Sequence, residues 1–297
     1  MSRVLLFGPD GQIGWRLAQL LVRSHELIMC RRSQADLSDS ARLRDAIRAV
    51  KPDVILNAAA YTAVDQAEKE PAMARAVNAI APGVMAEEAA RLHSLLVHFS
   101  TDYVFDGRKS GPYTEEDKPA PLNVYGESKL EGEQHIQATS AVHLILRTSW
   151  VYDSRGQNFV LTMLRLGRER HEIRIVNDQT GSPNWAKYLA ETTVDIVGQL
   201  IRSEDRRRLA GTYHLSASGH VTWFEFARAI FAHPSVMRLC KAPKLVPISS
   251  SEYPTLAKRP ANSTLSTRKL SELFEVTNLL WRDGLDQCLQ QLPATRW

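Results

Sequence analysis

Cysteine is scarce. The 297 residues contain three, Cys30, Cys240 and Cys288, and no pair has C-x-x-C spacing. An odd number without that spacing argues against a disulfide framework and against a zinc site. Long apolar runs are also missing. None approaches the ~20 residues that a membrane span needs. The first eight residues read directly as a strand and carry no signal-peptide pattern. A cytoplasmic protein without a membrane partner is therefore expected. No internal repeat and no low-complexity linker interrupts the chain. Neither sign of charge dominates: 37 basic and 33 acidic residues leave a net charge of +4. The basic residues are dispersed, apart from Arg206-Arg207-Arg208. That run is expected to end a helix or a loop and not to bind nucleic acid. The mild positive balance suits an anionic small-molecule substrate.

What is present is an ordinary globular composition, 44% apolar and 24% charged. The length suffices for one large α/β domain, or for a domain with a smaller lobe. The stretch Tyr125-Gly-Glu-Ser-Lys129 organises the rest. It lies at the start of a helix predicted over residues 123–139. Residues four apart share a helix face, so the Lys129 ammonium can lie beside the Tyr125 phenol. A free tyrosine has a pKa of about 10, and a neighbouring positive charge lowers it. The pair therefore reads as a proton donor for a developing alkoxide. An incidental Tyr and Lys on a surface helix would share this spacing. Two further signals decide against that.

The first is at the N-terminus. The apolar run 4–7 leads into GPDGQIG at 8–14 and then into an amphipathic stretch over 15–23. Strand, glycine turn and helix are the context of a dinucleotide-binding fingerprint. Gly8, Gly11 and Gly14 permit a tight turn and close approach of a pyrophosphate to backbone N–H groups. The helix N-terminus adds a favourable dipole. The spacing here is G-x-x-G-x-x-G. After a second strand over 27–30 come Arg31 and Arg32, where an acidic residue would hold the ribose 2′-hydroxyl of NAD. Guanidinium groups suit a 2′-phosphate, so NADPH is preferred to NADH. The alternative is that both arginines are merely solvated at a strand end. Asp36 and Leu37 follow, then a helix over 40–50 with Ser38 or Ser40 as its cap. Asn57-Ala58-Ala59-Ala60 stands after the third strand, and its small side chains let a flat cofactor lie against the backbone.

The second signal is STDYVF at 100–105, after a strand over 94–99. Ligands of open α/β sheets bind beyond the carboxyl ends of the strands, which places the Thr101 hydroxyl near the chemistry. Helices are predicted over 71–78 and 81–92, and a fifth strand over 143–147. Later come helices over 158–168, 184–201 and 222–231, the last capped by Thr222, and two C-terminal helices. Extended segments fall at 173–176 and 213–215. The expected architecture is α/β: a Rossmann-type doubly wound parallel sheet over residues 1–150, rejoined by about 184–215. A smaller C-terminal substrate-binding lobe lies mainly within 151–297. Around residue 151 the chain changes role without a hinge.

Taken together, GPDGQIG (8–14), NAAA (57–60), STDYVF (100–105), YGESK (125–129), RTSWVY (147–152), NDQTGSP (177–183) and RPANS (259–263) resemble the extended short-chain dehydrogenase/reductases. Within these they resemble the reductases of dTDP-linked 4-keto-6-deoxy sugars. The resemblance covers nearly the whole chain. It implies hydride delivery from NADPH or NADH to C4 of the sugar, the last step towards dTDP-L-rhamnose, a precursor of bacterial surface polysaccharide. It implies that Tyr125 donates the proton, that Lys129 also meets the nicotinamide ribose, and that Thr101 bonds the same carbonyl oxygen. Val64, Asp102, Tyr103 and Trp150 would hold the substrate. Gln12 and Ile13 would cover the cofactor pyrophosphate. Asp36, Leu37, Ala58, Ala59 and Ala60 would line its adenosine and ribose, and Ser100 would join that site. Arg259 is the candidate for the diphosphate of dTDP, because its planar donors match phosphate oxygens. Some members of the family form a magnesium-bridged dimer. Here Arg16 and Lys187 lie on the two helices that would supply its carboxylates, and hard cations need oxygen ligands. No metal site is expected, and the protein is expected to be a monomer or homodimer. Two alternatives keep the same fold: a reductase of another nucleotide-linked keto sugar, and a non-catalytic nucleotide-binding regulatory subunit. The presence of Tyr125, Lys129 and Thr101 favours an enzyme.

Overall fold

The computed structural model describes residues 1–239 and 241–292. Strands and helices alternate through the first half: β1 (Arg3–Phe7), α1 (Gln12–Leu21), β2 (Glu26–Cys30), α2 (Ser40–Val50), β3 (Val54–Asn57), α3 (Ala81–Leu92), β4 (Leu95–Thr101), α4 (Val124–Gln137) and β5 (Val142–Thr148). The second half adds α5 (Phe159–Glu169), β6 (Glu172–Val176), α6 (Ala186–Arg202), β7 (Gly211–His214), α7 (Trp223–Ala232), β8 (Lys244–Ile248) and α8 (Trp281–Gln290).

Six strands form the central sheet in the order β7-β5-β4-β3-β1-β2. Every pairing in it is parallel. Both faces are covered, which explains the continuously apolar strands. Along β1, Leu5 and Phe7 join one core with Leu43, Ile47 and Met85, while Val4 and Leu6 join another with Leu17, Leu21 and Leu200. The chain leaves β1 for β2 on one side and returns to β3 on the other. The loops after β1 and β3 therefore diverge at the carboxyl edge, where open α/β sheets bind ligands.

Glycines make this crevice. Gly8 has φ +75°, and a Cβ on it would lie 2.7 Å from the Ala59 nitrogen. A Cβ on Gly14 would lie 2.0 Å from the Gly8 carbonyl oxygen. The turn is thus tight enough for α1 to start within four residues of Gly8, with Gly11 N–H donating back to the Gly8 carbonyl at 3.2 Å.

The smaller lobe carries a parallel pair, β6 with β8. Its core is not separate. The apolar cluster on one sheet face continues through Tyr152, Val160, Phe226 and Trp281. A buried ion pair crosses the same boundary: Arg16 of α1 donates to both oxygens of Asp153, at 2.8 and 2.6 Å. Trp185 Nε1 donates to that carboxylate at 3.1 Å. Lys187 lies 3.6 Å from Glu191. Among the described residues, no group of three or more His, Cys, Asp or Glu is placed to hold a metal ion, and no helix is long and apolar enough to cross a membrane.

Several local expectations shift. The fourth strand runs two residues past 99, because pairing with β5 continues through Ser100 opposite Arg147 and Thr101 opposite Thr148. The helices expected over 71–78 and 81–92 form one helical run with a π turn at Ala76–Ile80. Asn78 in that turn bonds both backbone polar groups of Tyr61 and the Ser128 hydroxyl. The cap of α2 is Asp39 and neither Ser38 nor Ser40; its carboxylate accepts from the N–H groups of Ala41 and Arg42, both at 3.1 Å. Asn123 caps α4, accepting from Gly126 N–H at 2.8 Å. Thr222 caps α7 in a capping box with Glu225. Cys30 and Cys288 are buried and free, and Cys240 lies outside the described residues.

Gly14→Ala is expected to cost about 3 kcal/mol or more, the upper range for overpacking, because its Cβ would meet backbone. Gly111→Ala meets nothing within 4 Å and should stay within about 0.5 kcal/mol of the native protein. Urea melts of the two variants check this; equal stabilities would refute the tight-turn argument.

Candidate active site

Tyr125 stands in the first turn of α4. Gly126 lets that turn lie against STDYVF, since a Cβ there would be 2.2 Å from the Tyr103 carbonyl oxygen. The Tyr103 and Tyr125 rings meet edge to face, centroids 5.5 Å apart. Thr101 is the last residue of β4. Its hydroxyl donates to Asp102 at 3.1 Å and accepts from Tyr103 N–H at 3.2 Å, and it lies close enough to Tyr125 to favour the phenolate. The fold thus brings Thr101, Asp102, Tyr103 and Tyr125 together. Burial pushes the Tyr125 phenol above its usual pKa, and only the Thr101 bond opposes it. Burial also pushes the Asp102 carboxyl up to about 6, against the hydroxyls of Ser263 and Thr101.

Lys129 is 1% exposed. Its Nζ donates to the Phe99 carbonyl at 2.6 Å and lies 2.9 Å from His98 Nε2. These β4 groups, and not the Tyr125 phenol, take its head group. No Lys129 charge therefore pulls the Tyr125 pKa down in this arrangement. Burial lowers Lys129 itself to about 7, although Glu133, one helical turn on, opposes that. Glu133 is fully buried and pairs with Arg147 at 2.6 and 2.9 Å. The buried Ser100 hydroxyl also donates to Glu133.

On the cofactor side, Gly8, Gly11 and Gly14 form a cradle that side chains would fill, and Ala58 and Ala59 press against it. Ala60 is half-buried beside them. Gln12 accepts from Asn158 Nδ2 at 2.9 Å, and Ile13 packs on the core. Arg31 and Arg32 are exposed after β2, paired with Asp10 at 3.4 Å and Asp36 at 2.9 Å. Ser38 N–H and hydroxyl, with Arg32, hold the Asp36 carboxyl down at about 2. Leu37 is buried.

On the other side a cleft of about 1070 Å³ is lined by Tyr103, Phe159, Met163, Trp223, Lys258 and Arg259, among others. Arg259 donates to the Tyr103 hydroxyl at 2.9 Å and pairs with Asp65 at 2.7 Å. Asp65 also accepts from Ala257 N–H at 3.0 Å. Val64 opens the short helix that carries Asp65. Trp150 adopts φ +44° and stacks flat on Trp223, centroids 3.4 Å apart. Gly181 makes room, since a Cβ there would lie 2.4 Å from the Trp150 ring. His98, Glu133, Asp65 and Trp223 escaped the sequence reasoning. Only Glu133 carried a usable signal, the i+4 step beyond Lys129.

The family described as "RmlD substrate binding domain" matches residues 2–294. The dTDP-4-dehydrorhamnose reductase of Burkholderia thailandensis is 43% identical over 295 residues, covering 98% of this chain and 99% of that one. The chain belongs to the dTDP-4-dehydrorhamnose reductase family. The reductase of Escherichia coli K12 is 41% identical over 297 residues, with 98% of both chains covered. Among solved structures, the reductase of Bacillus anthracis in complex with NADP superposes with a TM-score of 0.89, at 35% identity, covering 98% of this chain and 99% of that one. The sheet order, the glycine turn and the Tyr125 helix are thus placed within a reductase family.

Asp102 gives a stability test. Its carboxyl ionises less readily in the folded chain than in the unfolded one, where the pKa is about 3.9. Its contribution is fully present below that value and is lost as pH rises through about 6. Asp102→Asn should therefore stabilise the protein at pH 7.5 by roughly 1–3 kcal/mol, at about 1.4 kcal/mol per unit. In urea melts the gain should shrink towards zero near pH 4. A gain independent of pH would exclude Asp102 ionisation as its source.

Proposed function

We propose that the protein reduces the C4 keto group of dTDP-4-dehydrorhamnose to dTDP-L-rhamnose, with NADPH or NADH as the reductant. One observation carries this: Thr101 ends β4 at the carboxyl edge of the sheet, beside Tyr125 in the first turn of α4, in a chain matched over nearly its whole length by reductases of that name. The bound cofactor supplies the hydride. Gly8, Gly11, Gln12, Ile13 and Gly14 would hold its pyrophosphate at the N-terminus of α1. The cradle that a Cβ at Gly8 or Gly14 would fill supports this. Asp36, Leu37, Ala58, Ala59 and Ala60 would line the adenosine and its ribose. Arg31 and Arg32, exposed beyond β2, make NADPH the preferred cofactor.

Tyr125 retains its proton until negative charge develops on the C4 oxygen. The phenol O–H bond then breaks and a new O–H bond forms on the sugar. Thr101 steadies the oxygen, and an ammonium form of Lys129 would favour the phenolate left behind once its head group turns from Phe99 towards Tyr125. Val64, Asp102, Tyr103 and Trp150 would hold the sugar. Arg259 lines the cleft and is the candidate for the diphosphate, its guanidinium plane fixed by Asp65 and Tyr103.

Loss of absorbance at 340 nm tests the proposal, with dTDP-4-dehydrorhamnose formed in situ and a GDP-linked keto sugar as control. Oxidation of NADPH with the dTDP sugar alone is expected. No oxidation with either sugar, despite tight NADPH binding, would favour a nucleotide-binding subunit instead. Tyr125→Phe should lower kcat by about 10²–10⁴-fold with cofactor affinity retained; a near-native rate would remove Tyr125 from the chemistry. Replacing Arg31 and Arg32 by alanine should raise KM for NADPH more than KM for NADH. Equal changes would show that neither arginine meets the 2′-phosphate.

A further inference from the structure

His98 lies on β4, 1% exposed, between two polar partners. Its Nδ1 is 3.0 Å from Asn57 Nδ2, and its Nε2 is 2.9 Å from Lys129 Nζ. Counting donors and acceptors assigns the protons. Asn57 Oδ1 accepts from Ala59 N–H at 3.1 Å. That bond fixes the amide, so its NH₂ faces the ring. A side-chain NH₂ only donates, and Nδ1 must therefore accept. A neutral imidazole then carries its one proton on Nε2, aimed at Lys129. Lys129 already donates to the Phe99 carbonyl at 2.6 Å. As an amine it has one lone pair to accept from Nε2–H, one N–H for Phe99 and one N–H left over. As an ammonium it has three donors and would set N–H against N–H. Protonating the ring is no remedy, because Nδ1–H would then face the Asn57 NH₂.

We propose that Asn57 fixes the tautomer of His98, and that His98 so fixed is a positioning residue that holds Lys129 ready to exchange its third proton. The proposal rests on the reductase reading for its use in turnover. A Lys129 ammonium turned from Phe99 towards Tyr125 would favour the phenolate, and a lysine that readily returns to the amine can pass a proton on. The Lys129 N–H bond breaks in that step, and the proton goes to the phenolate oxygen or to solvent. The electron pair of that bond becomes the nitrogen lone pair that accepts from Nε2–H. The other charged groups around it are few. Glu133 on its own helix opposes the amine form, and Arg147 from β5 largely neutralises Glu133. Tyr125 shares the helix, and β3 contributes the uncharged Asn57. The directions agree: burial lowers Lys129, and burial is the main cause that holds His98 well below its ordinary pKa.

The first test needs no turnover. In protein labelled with ¹⁵N-histidine, two-bond ¹H–¹⁵N spectra distinguish the two ring nitrogens. His98 is assigned by the signal lost in His98→Gln, or in His98→Asn should the first variant not fold. The expected result is unprotonated Nδ1 and protonated Nε2 from pH 6 to pH 9. A protonated Nδ1 in the native protein overturns the proposal, whatever the substrate. The second test uses Asn57→Asp. A carboxylate accepts from both Ala59 N–H and Nδ1–H, so the tautomer flips and Nε2 can accept from the ammonium. The Lys129 inflection in the pH profile of kcat/KM should then rise by about one unit or more. Adding His98→Leu should abolish most of that rise. A rise that persists without the ring would assign it to the new charge alone and overturn the role of His98. Absence of any reductase activity would sink the reading of function while leaving the tautomer result to stand or fall by itself.

Discussion

Lys129 reaches the interior almost fully shielded from water, where burial disfavours its charged form and its nitrogen needs polar partners. Much of the site follows from meeting that demand. The Phe99 carbonyl takes one N–H, and His98 takes another face of the nitrogen. Glu133 adds a favourable charge one turn away but is itself buried. It is neutralised in turn by Arg147 and bonded by Ser100. Lys129 thus ties α4 to β4, Glu133 ties it to β5 through Arg147, and Tyr125 rides on the same helix. Close approach is a condition of all these bonds. Gly126 lies against the Tyr103 carbonyl, and Gly132 lies against the Asn78 carbonyl in the π turn.

Geometry at the sheet edge complements this buried network. The divergence of the loops after β1 and β3 opens the crevice on the side where Gly8 touches Ala59. The divergence of β4 from the lobe opens the cleft on the side of Tyr103 and Arg259. Thr101 stands at the carboxyl end of β4 and Tyr125 in the first turn of α4.

Legibility in the sequence tracked distance along the chain. The glycine turn, the Tyr125–Lys129 spacing and the strand-end position of Thr101 are local patterns with a fixed geometric meaning, and the parallel sheet followed from them. The partners of those residues were not local. His98 lies 31 residues from Lys129 and Asp65 lies 194 from Arg259. Nothing in either segment announces the other. Lys129 shows the limit of spacing arguments: a shared helix face permits contact with Tyr125, but the Phe99 carbonyl and the His98 ring on β4 hold its head group instead. Asp39 displaced the expected serine caps because its carboxylate reaches two backbone N–H groups at once. The π turn is invisible to a 3.6-residue pattern, since it is set by what Asn78 bonds across space.

The apolar cluster that runs unbroken from β1 through Tyr152 and Phe226 to Trp281 has a mechanical meaning. Two lobes that share one core cannot swing apart like the halves of a shell without wetting its contents. The buried Arg16–Asp153 pair pins the same seam. The open side is the rim, where residues 251–256, Tyr253 and Leu256 among them, stand exposed beside the cleft.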